Sequence, residues 1–182
     1  MTIYATSDTH FSHEKLKTMG AGRPDNYEEL ILAGIRKLQG DILLHLGDIS
    51  IGNDEKNLKR FMEAAHGFKK VILVRGNHDG KSYSWYMERG FSHVCEIMQM
   101  RLWGKEILFT HMPFKRSGYQ PSPYYSPVRH FHGHLHGNGN RHAAKELYDP
   151  EYHYDVAPDT HDYRPVNIEE VIIKNILSKM RV

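Results

Sequence analysis

Cysteine is almost absent: Cys95 is the single thiol in 182 residues. That excludes an intrachain disulfide and fits a reducing compartment. Also missing is any apolar run near the roughly 18 residues that would span a bilayer. No secretory pattern precedes the first apolar segment, since Met1-Thr2-Ile3-Tyr4 runs straight into a strand. A cytoplasmic location with no membrane partner is therefore expected. Charge of one sign is missing too. With 24 Lys and Arg against 22 Asp and Glu, the net charge is only +2, which argues for no particular partner. Repeats, low-complexity tracts and an interdomain linker are absent, so one domain over residues 1–182 is expected. What is plentiful is histidine, with 14 residues. Histidine is the commonest metal ligand and a frequent acid–base group, so the positions of these residues decide what the excess means.

Strand and helix patterns alternate. Ile3–Thr6, Ile42–Leu46 and Val71–Val74 are short apolar runs of the buried-strand type. Asp25, with Glu28 three residues on, offers a capping box. Behind it Tyr27, Leu30, Ile31, Gly34, Ile35 and Leu38 form one helical face. Leu58, Phe61, Met62 and Ala65 mark a second helix that stops at Gly67, and Ser82–Arg89 a short third one closed by Gly90. Glu96–Leu102 and Glu106–Thr110 then read as strands joined by a turn at Trp103-Gly104-Lys105. Residues 113–127 read as a loop. Arg129–Phe131 and Tyr152–Val156 are further strands, and Asn167 caps a last helix whose Ile168, Val171 and Ile172 face inward. Such a pattern predicts stacked sheets covered by helices.

Polar groups sit where these strands end. Asp8-Thr9-His10 follows the first, Gly47-Asp48 the second and Gly76-Asn77-His78-Asp79 the third. His111 follows Phe109-Thr110, and Gly133-His134-Leu135-His136 follows the strand at Arg129. Sites in α/β sheets form at the carboxyl ends of strands, so five such ends predict one polar pocket. It would hold Asp8, His10, Asp48, Asn77, His111, His134 and His136. These seven are too many for one tetrahedral ion, whereas one shared carboxylate gives two ions four ligands each. Nitrogen and oxygen donors without thiolate suit manganese, iron, zinc or nickel and disfavour copper(I). Two ions about 3.5–4 Å apart clamp the attacking and leaving oxygens of a phosphoryl displacement.

At these residues the sequence resembles the calcineurin-like metallophosphoesterase superfamily, whose motifs D-x-H, G-D, G-N-H-D/E, a lone H and G-H-x-H occur here in order. The resemblance runs from Asp8 to His136 and departs at no ligand position. It implies a four-layer α/β/β/α sandwich with a dinuclear site at the carboxyl edge of the sheets. It assigns Asp8, His10, Asp48 and His136 to one ion and Asp48, Asn77, His111 and His134 to the other, with Asp48 bridging. His78 would contact phosphate and protonate the leaving oxygen, Asp79 would orient His78, and a bridging hydroxide would attack phosphorus. Asp8-Thr9-His10-Phe11-Ser12-His13 and Tyr163-Arg164-Pro165-Val166 are similar to a small bacterial and phage branch of that superfamily. At least one phage member of the branch acts on phosphodiesters, including 2′,3′-cyclic nucleotides. The implied activity is a phosphodiesterase that takes small phosphodiesters or nucleotides, supported best by manganese. A phosphomonoesterase or small nuclease is the alternative, which leaves nucleic acid open as a substrate. A non-enzymatic scaffold is disfavoured because His78 and every ligand are present.

Other residues have plainer readings. His45 lies within an apolar strand and reads as a core histidine. His13 either supports the site or starts a helix. His130 and His132 flank Phe131 at strand spacing and read as surface or supporting residues rather than ligands. His66, His93, His142, His153 and His161 read as exposed. Asp79 could also cap the following helix. Arg75 could reach phosphate or simply be exposed. Between Met112 and Lys145 lie Lys115, Arg116, Arg129, Arg141 and Lys145, three tyrosines (Tyr119, Tyr124 and Tyr125) and no acidic residue. This is either a basic aromatic rim for substrate or a solvated loop.

Overall fold

Side-chain parity along the first three strands sends alternate residues into two different cores. In a computed structural model, which describes residues 1–18, 22–115, 128–137 and 148–174 and the backbone of 175–179, these strands are β1 (Ile3–Thr6), β2 (Gly40–His45) and β3 (Phe68–Val74). All three are parallel, and a short β4 (His93–Cys95) extends them beyond β3. One face carries Leu43, Val71 and Leu73 against Tyr27, Ile31, Ile35, Leu58 and Phe61. Those five come from helices α2 (Tyr27–Arg36) and α3 (Asp54–Ala64). The other face carries Ile3, Ala5, Ile42, Leu44, Ile72 and Val74 into a second core. Each fully buried side chain of this size contributes about 1.5–3 kcal/mol.

The second core is closed by another sheet, built from β5 (Ile97–Leu102), β6 (Lys105–Thr110), β7 (Arg129–His132) and β8 (His153–Asp155) in that order. Strands β5 and β6 form a hairpin through Trp103 and Gly104, both at positive φ (48° and 73°), as a two-residue primed turn requires. Strands β6, β7 and β8 are parallel. Leu102, Ile107, Phe109 and Phe131 enter the shared core, where Phe109 stacks on Phe131 at 5.5 Å. The chain returns through β9 (Val166–Asn167), antiparallel to β1, into α5 (Ile168–Lys179). Ile168, Val171 and Ile172 of α5 join the inter-sheet core, and the Asn167 side chain accepts from the amides of Glu169 and Glu170. Two one-turn helices, α1 (Lys15–Thr18) and α4 (Tyr83–Met87), and two 3-10 turns, Ala65–Gly67 and Pro158–Thr160, complete the described elements. The result is two sheets flanked by helices. No helix among the described residues is long and apolar enough to cross a membrane.

Several expectations need correction. Leu30 is 37% exposed rather than buried, because the buried face of α2 runs through Tyr27, Ile31, Leu32, Gly34 and Ile35. The α2 N-cap is Asn26, and it makes no side-chain capping bond. His130, His132 and His153 are fully buried, because their rings pack on one another and against Phe114, Tyr148 and Tyr152. Arg129 is buried as well and donates to the carbonyls of Pro150 and Glu151, so it is not part of a solvent-facing rim. Arg116, Tyr119, Tyr124, Tyr125, Arg141, His142 and Lys145 lie outside the described residues.

Candidate metal centre

The parallel strands of both sheets end at one edge, and the loops that follow them are stitched together. After β1 and β2 the chains run side by side: Asp8 N–H donates to Gly47 O, His10 N–H to Asp48 O and Phe11 N–H to Ile49 O. The Thr9 hydroxyl donates to Ile49 O and accepts from His45 Nε2–H, which gives His45 its core role. After β6 and β7, Gly133 N–H donates to His111 O. Between the sheets, His134 N–H donates to Asp8 Oδ2 at 2.8 Å. Two glycines are needed here for closeness rather than turning. A Cβ on Gly133 would stand 2.2 Å from Asp8 Oδ2, and one on Gly76 would stand 2.2 Å from Asp48 Oδ1.

Five of the residues named from sequence occupy left-handed backbone: Asp8 (φ 47°), His10 (46°), Asp48 (61°), His134 (68°) and His136 (49°). Non-glycine residues in this region cost energy and persist only where the surroundings hold them, commonly at functional sites. The strain turns these side chains toward one another. Asp8, His10 and His136 form one group whose ligand atoms lie within 4.8 Å of one another, and Asp48, His111 and His134 form a second. His10 Nε2 is 3.6 Å from Asp8 Oδ1 and 3.6 Å from Asp48 Oδ2. His136 Nε2 is 3.5 Å from Asp8 Oδ1, and His111 Nε2 is 3.3 Å from Asp48 Oδ2. His134 Nδ1 and Asn77 Oδ1 stand 3.2 and 3.0 Å from His111 Nε2.

These spacings allow a test of fit to metal. Ligands about 2.1 Å from a tetrahedral ion stand about 3.4 Å from one another, which matches the four nitrogen–carboxylate separations. Asp8 Oδ1 is buried and has no hydrogen-bond partner, a costly state for a carboxylate that a cation relieves. His111 Nδ1–H donates to Leu46 O at 2.8 Å, which leaves Nε2 as the ligand atom. The residues present therefore fit two divalent ions with nitrogen and oxygen ligands.

The electrostatics agree. Burial pushes the Asp8 carboxyl up, but the adjacent His10 imidazole and the charges of His111 and His136 outweigh it and hold Asp8 well below the usual carboxylate range. Asp48 behaves alike: burial raises it and the His111 bond and charge lower it further. Burial opposes the charge on His111, yet its bond to Asp48 and the charges of Asp8 and Asp48 push it up to about 9. The site thus draws positive charge, and protons compete for it with any cation.

The supporting residues are less uniform. Asp79 does not orient His78 as the resemblance implied. Its carboxylate accepts the amides of Asp48 (2.8 Å), Ile49 (3.1 Å) and Gly76 (2.8 Å), so it shapes the turn that carries Asp48. The His78 amide donates to Asp48 Oδ1 at 2.8 Å, while its ring is 45% exposed with Nε2 4.0 Å from Asp48 Oδ2. His13 lies with its ring 5.3 Å from that of His10, near the site. Arg75 donates to Asp79 O and Glu96 and is not free for phosphate. Two residues were missed from sequence. Asp159 and Arg23 lie behind His136 and Asp8. The strand-end rule applied after β8 would have pointed at Asp159. Nothing in the sequence around Arg23 marks it.

The family model for calcineurin-like phosphoesterases matches residues 1–157, and the chain belongs to that family of metal-dependent phosphoester hydrolases. Among solved structures, it is similar to a protein of unknown function from Aquifex aeolicus, with 26% identity and a TM-score of 0.71 over 93% of this chain and 97% of that one. It also shares its fold with a phosphoesterase from E. coli, at 22% identity and a TM-score of 0.51, over 87% of this chain and 79% of that one. No curated protein matches the sequence.

Proposed function

We propose that the protein is a phosphodiesterase that hydrolyses small phosphodiesters, 2′,3′-cyclic nucleotides among them, with two bound divalent ions. The observation that carries this reading is Asp48 Oδ2, which faces His10 Nε2 at 3.6 Å and His111 Nε2 at 3.3 Å, so one carboxylate oxygen addresses both ligand groups. Asp8, His10, His136 and Asp48 would hold one ion, and Asp48, Asn77, His111 and His134 the other. Two such ions supply Lewis acidity and a nucleophile available near neutral pH.

The chain's own residues do the rest. Asp8 and Asp48 bring the negative charge that retains the cations. Asp79 fixes the turn of Asp48 through three backbone amides. His78 is the imidazole that solvent and substrate can reach, and it donates a proton to the leaving oxygen. Pairing of β9 with β1 draws the segment beyond residue 157 into the first sheet, which supports reading residues 1–182 as one domain.

The test is a substrate panel on protein stripped with EDTA and reloaded with manganese. It would hold 2′,3′-cyclic AMP, bis-p-nitrophenyl phosphate, p-nitrophenyl phosphate and a single-stranded oligonucleotide. The highest kcat/KM is expected on the cyclic diester. A preference for the monoester or the oligonucleotide would make the protein a phosphomonoesterase or a nuclease. No hydrolysis by ion-loaded protein would make it a scaffold.

A further inference from the structure

We propose that Arg23 and Asp159 form a buried clamp that presets one ion site, that of Asp8, His10 and His136, as positioning residues that touch neither substrate nor reacting atoms. The proposal rests on reading those three residues as ligands.

The Arg23 side chain has no solvent exposure, so it cannot serve a substrate. Each of its three nitrogens is engaged inside. Nε and Nη2 form a fork on Asp159, at 2.7 Å to Oδ1 and 2.7 Å to Oδ2. Nη2 also donates to Asp8 O at 2.7 Å, and Nη1 to Thr9 O at 3.1 Å. Tyr27, whose ring lies 5.1 Å from the guanidinium carbon, donates its hydroxyl to His10 O at 2.7 Å. Three consecutive carbonyls, those of Asp8, Thr9 and His10, are thereby held from one side. Two of the three, Asp8 and His10, have the left-handed backbone that follows β1.

The other end of the clamp sets a tautomer. His136 Nδ1 lies 2.8 Å from Asp159 Oδ2 and 3.3 Å from Arg23 Nη2. A guanidinium only donates and a carboxylate only accepts. The shorter contact to the charged acceptor places the proton on Nδ1, donated to Asp159. Nε2, 3.5 Å from Asp8 Oδ1, is left as the ligand atom. A carboxylate behind a ligand histidine fixes both its tautomer and its orientation. Arg23 in turn neutralises Asp159, so a charge-balanced pair 136 residues apart joins the loop after β1 to the 3-10 turn Pro158–Thr160 after β8. The second ligand group has a different support: His111 is held by Leu46 O, and nothing in the clamp touches His111 or His134.

That asymmetry makes the test selective. Manganese binding to the wild type and to Asp159→Asn and Asp159→Glu would be measured by calorimetric titration, with folding checked by thermal melting. In Asp159→Asn one ion should weaken by about 10–100-fold and the other should keep its affinity, with partial recovery in Asp159→Glu. Equal loss of both ions, or of neither, overturns the clamp. A wild type that binds no ion overturns the ligand reading itself, and the clamp with it. If Asp159→Asn does not fold, nitrogen-15 NMR of the zinc-loaded wild type decides. A His136 proton on Nδ1 supports the clamp, and one on Nε2 refutes it.

Discussion

Lowering the pH should unfold the metal-free protein steeply, and the reason lies in three buried histidines outside the ligand set. His45, His130 and His132 each use one ring N–H, donated to Thr9 Oγ1, Thr110 Oγ1 and Gly133 O respectively. The other nitrogen of each is buried without a partner, so a proton added there would have no acceptor. Burial accordingly lowers these groups to about 3, about 2 and about 3. An unfolded histidine titrates near 6.5, so below that pH the unfolded chain binds three protons that the native chain refuses. Stability therefore falls as pH falls, by about 4 kcal/mol per unit for the three together. Between pH 6.5, where each unfolded histidine is only half protonated, and pH 5 that amounts to roughly 5 kcal/mol, a large share of the 5–15 kcal/mol typical of a folded protein. His111, held up at about 9, acts in the opposite window: its stabilisation is complete below 6.5 and is lost as pH rises through 9. Urea unfolding in EDTA at half-unit steps from pH 7 to 5 measures the slope. A dependence of less than one proton between pH 6 and 5 would refute the claim that these histidines stay neutral in the fold.

Further outcomes follow from the site. Asp48→Asn should weaken both ions, because its Oδ2 faces both groups, and metal analysis after dialysis should show loss from each; retention of both at full rate would refute the bridge. Gly133→Ala puts a methyl 2.2 Å from Asp8 Oδ2, and should cost about 1–3 kcal/mol in a thermal melt together with the first ion; an unchanged melt and ion count would show that the loop yields freely. His78→Gln should leave both ions bound but cut kcat on a nucleoside diester by about 10²–10⁴-fold. The loss should be smaller on a nitrophenyl ester, whose leaving group scarcely needs the proton. Equal losses on both esters would favour electrostatic stabilisation over proton donation.

Much of this arrangement was legible in the chain because each apolar strand ends abruptly in a carboxylate, amide or imidazole. Asp8, Asp48 and His111 are examples. The flanking glycines were legible for the same reason. Elements of two or three residues, β4 and β9, were missed because so short a segment has no period to read. The burial of His130 and His132 was misread because alternation with Phe131 suggests one wet face, whereas Phe114, Tyr148, Tyr152 and His153 pack over that face in the fold. Arg23 and Asp159 were invisible as a pair, since 136 residues separate them and a fork between guanidinium and carboxylate leaves no spacing signature. The orientation of Asp79 toward backbone amides, not toward its neighbour His78, is likewise a property of the packed loops.

The central claim is that seven residues from five strand ends hold two ions through one shared carboxylate. Anomalous X-ray diffraction from crystals of manganese-loaded protein tests it most directly. Two peaks about 3.5–4 Å apart are predicted, both within bonding distance of Asp48. One should be ringed by Asp8, His10 and His136, and the other by Asn77, His111 and His134. A single peak, or two peaks that do not share Asp48, would contradict the account.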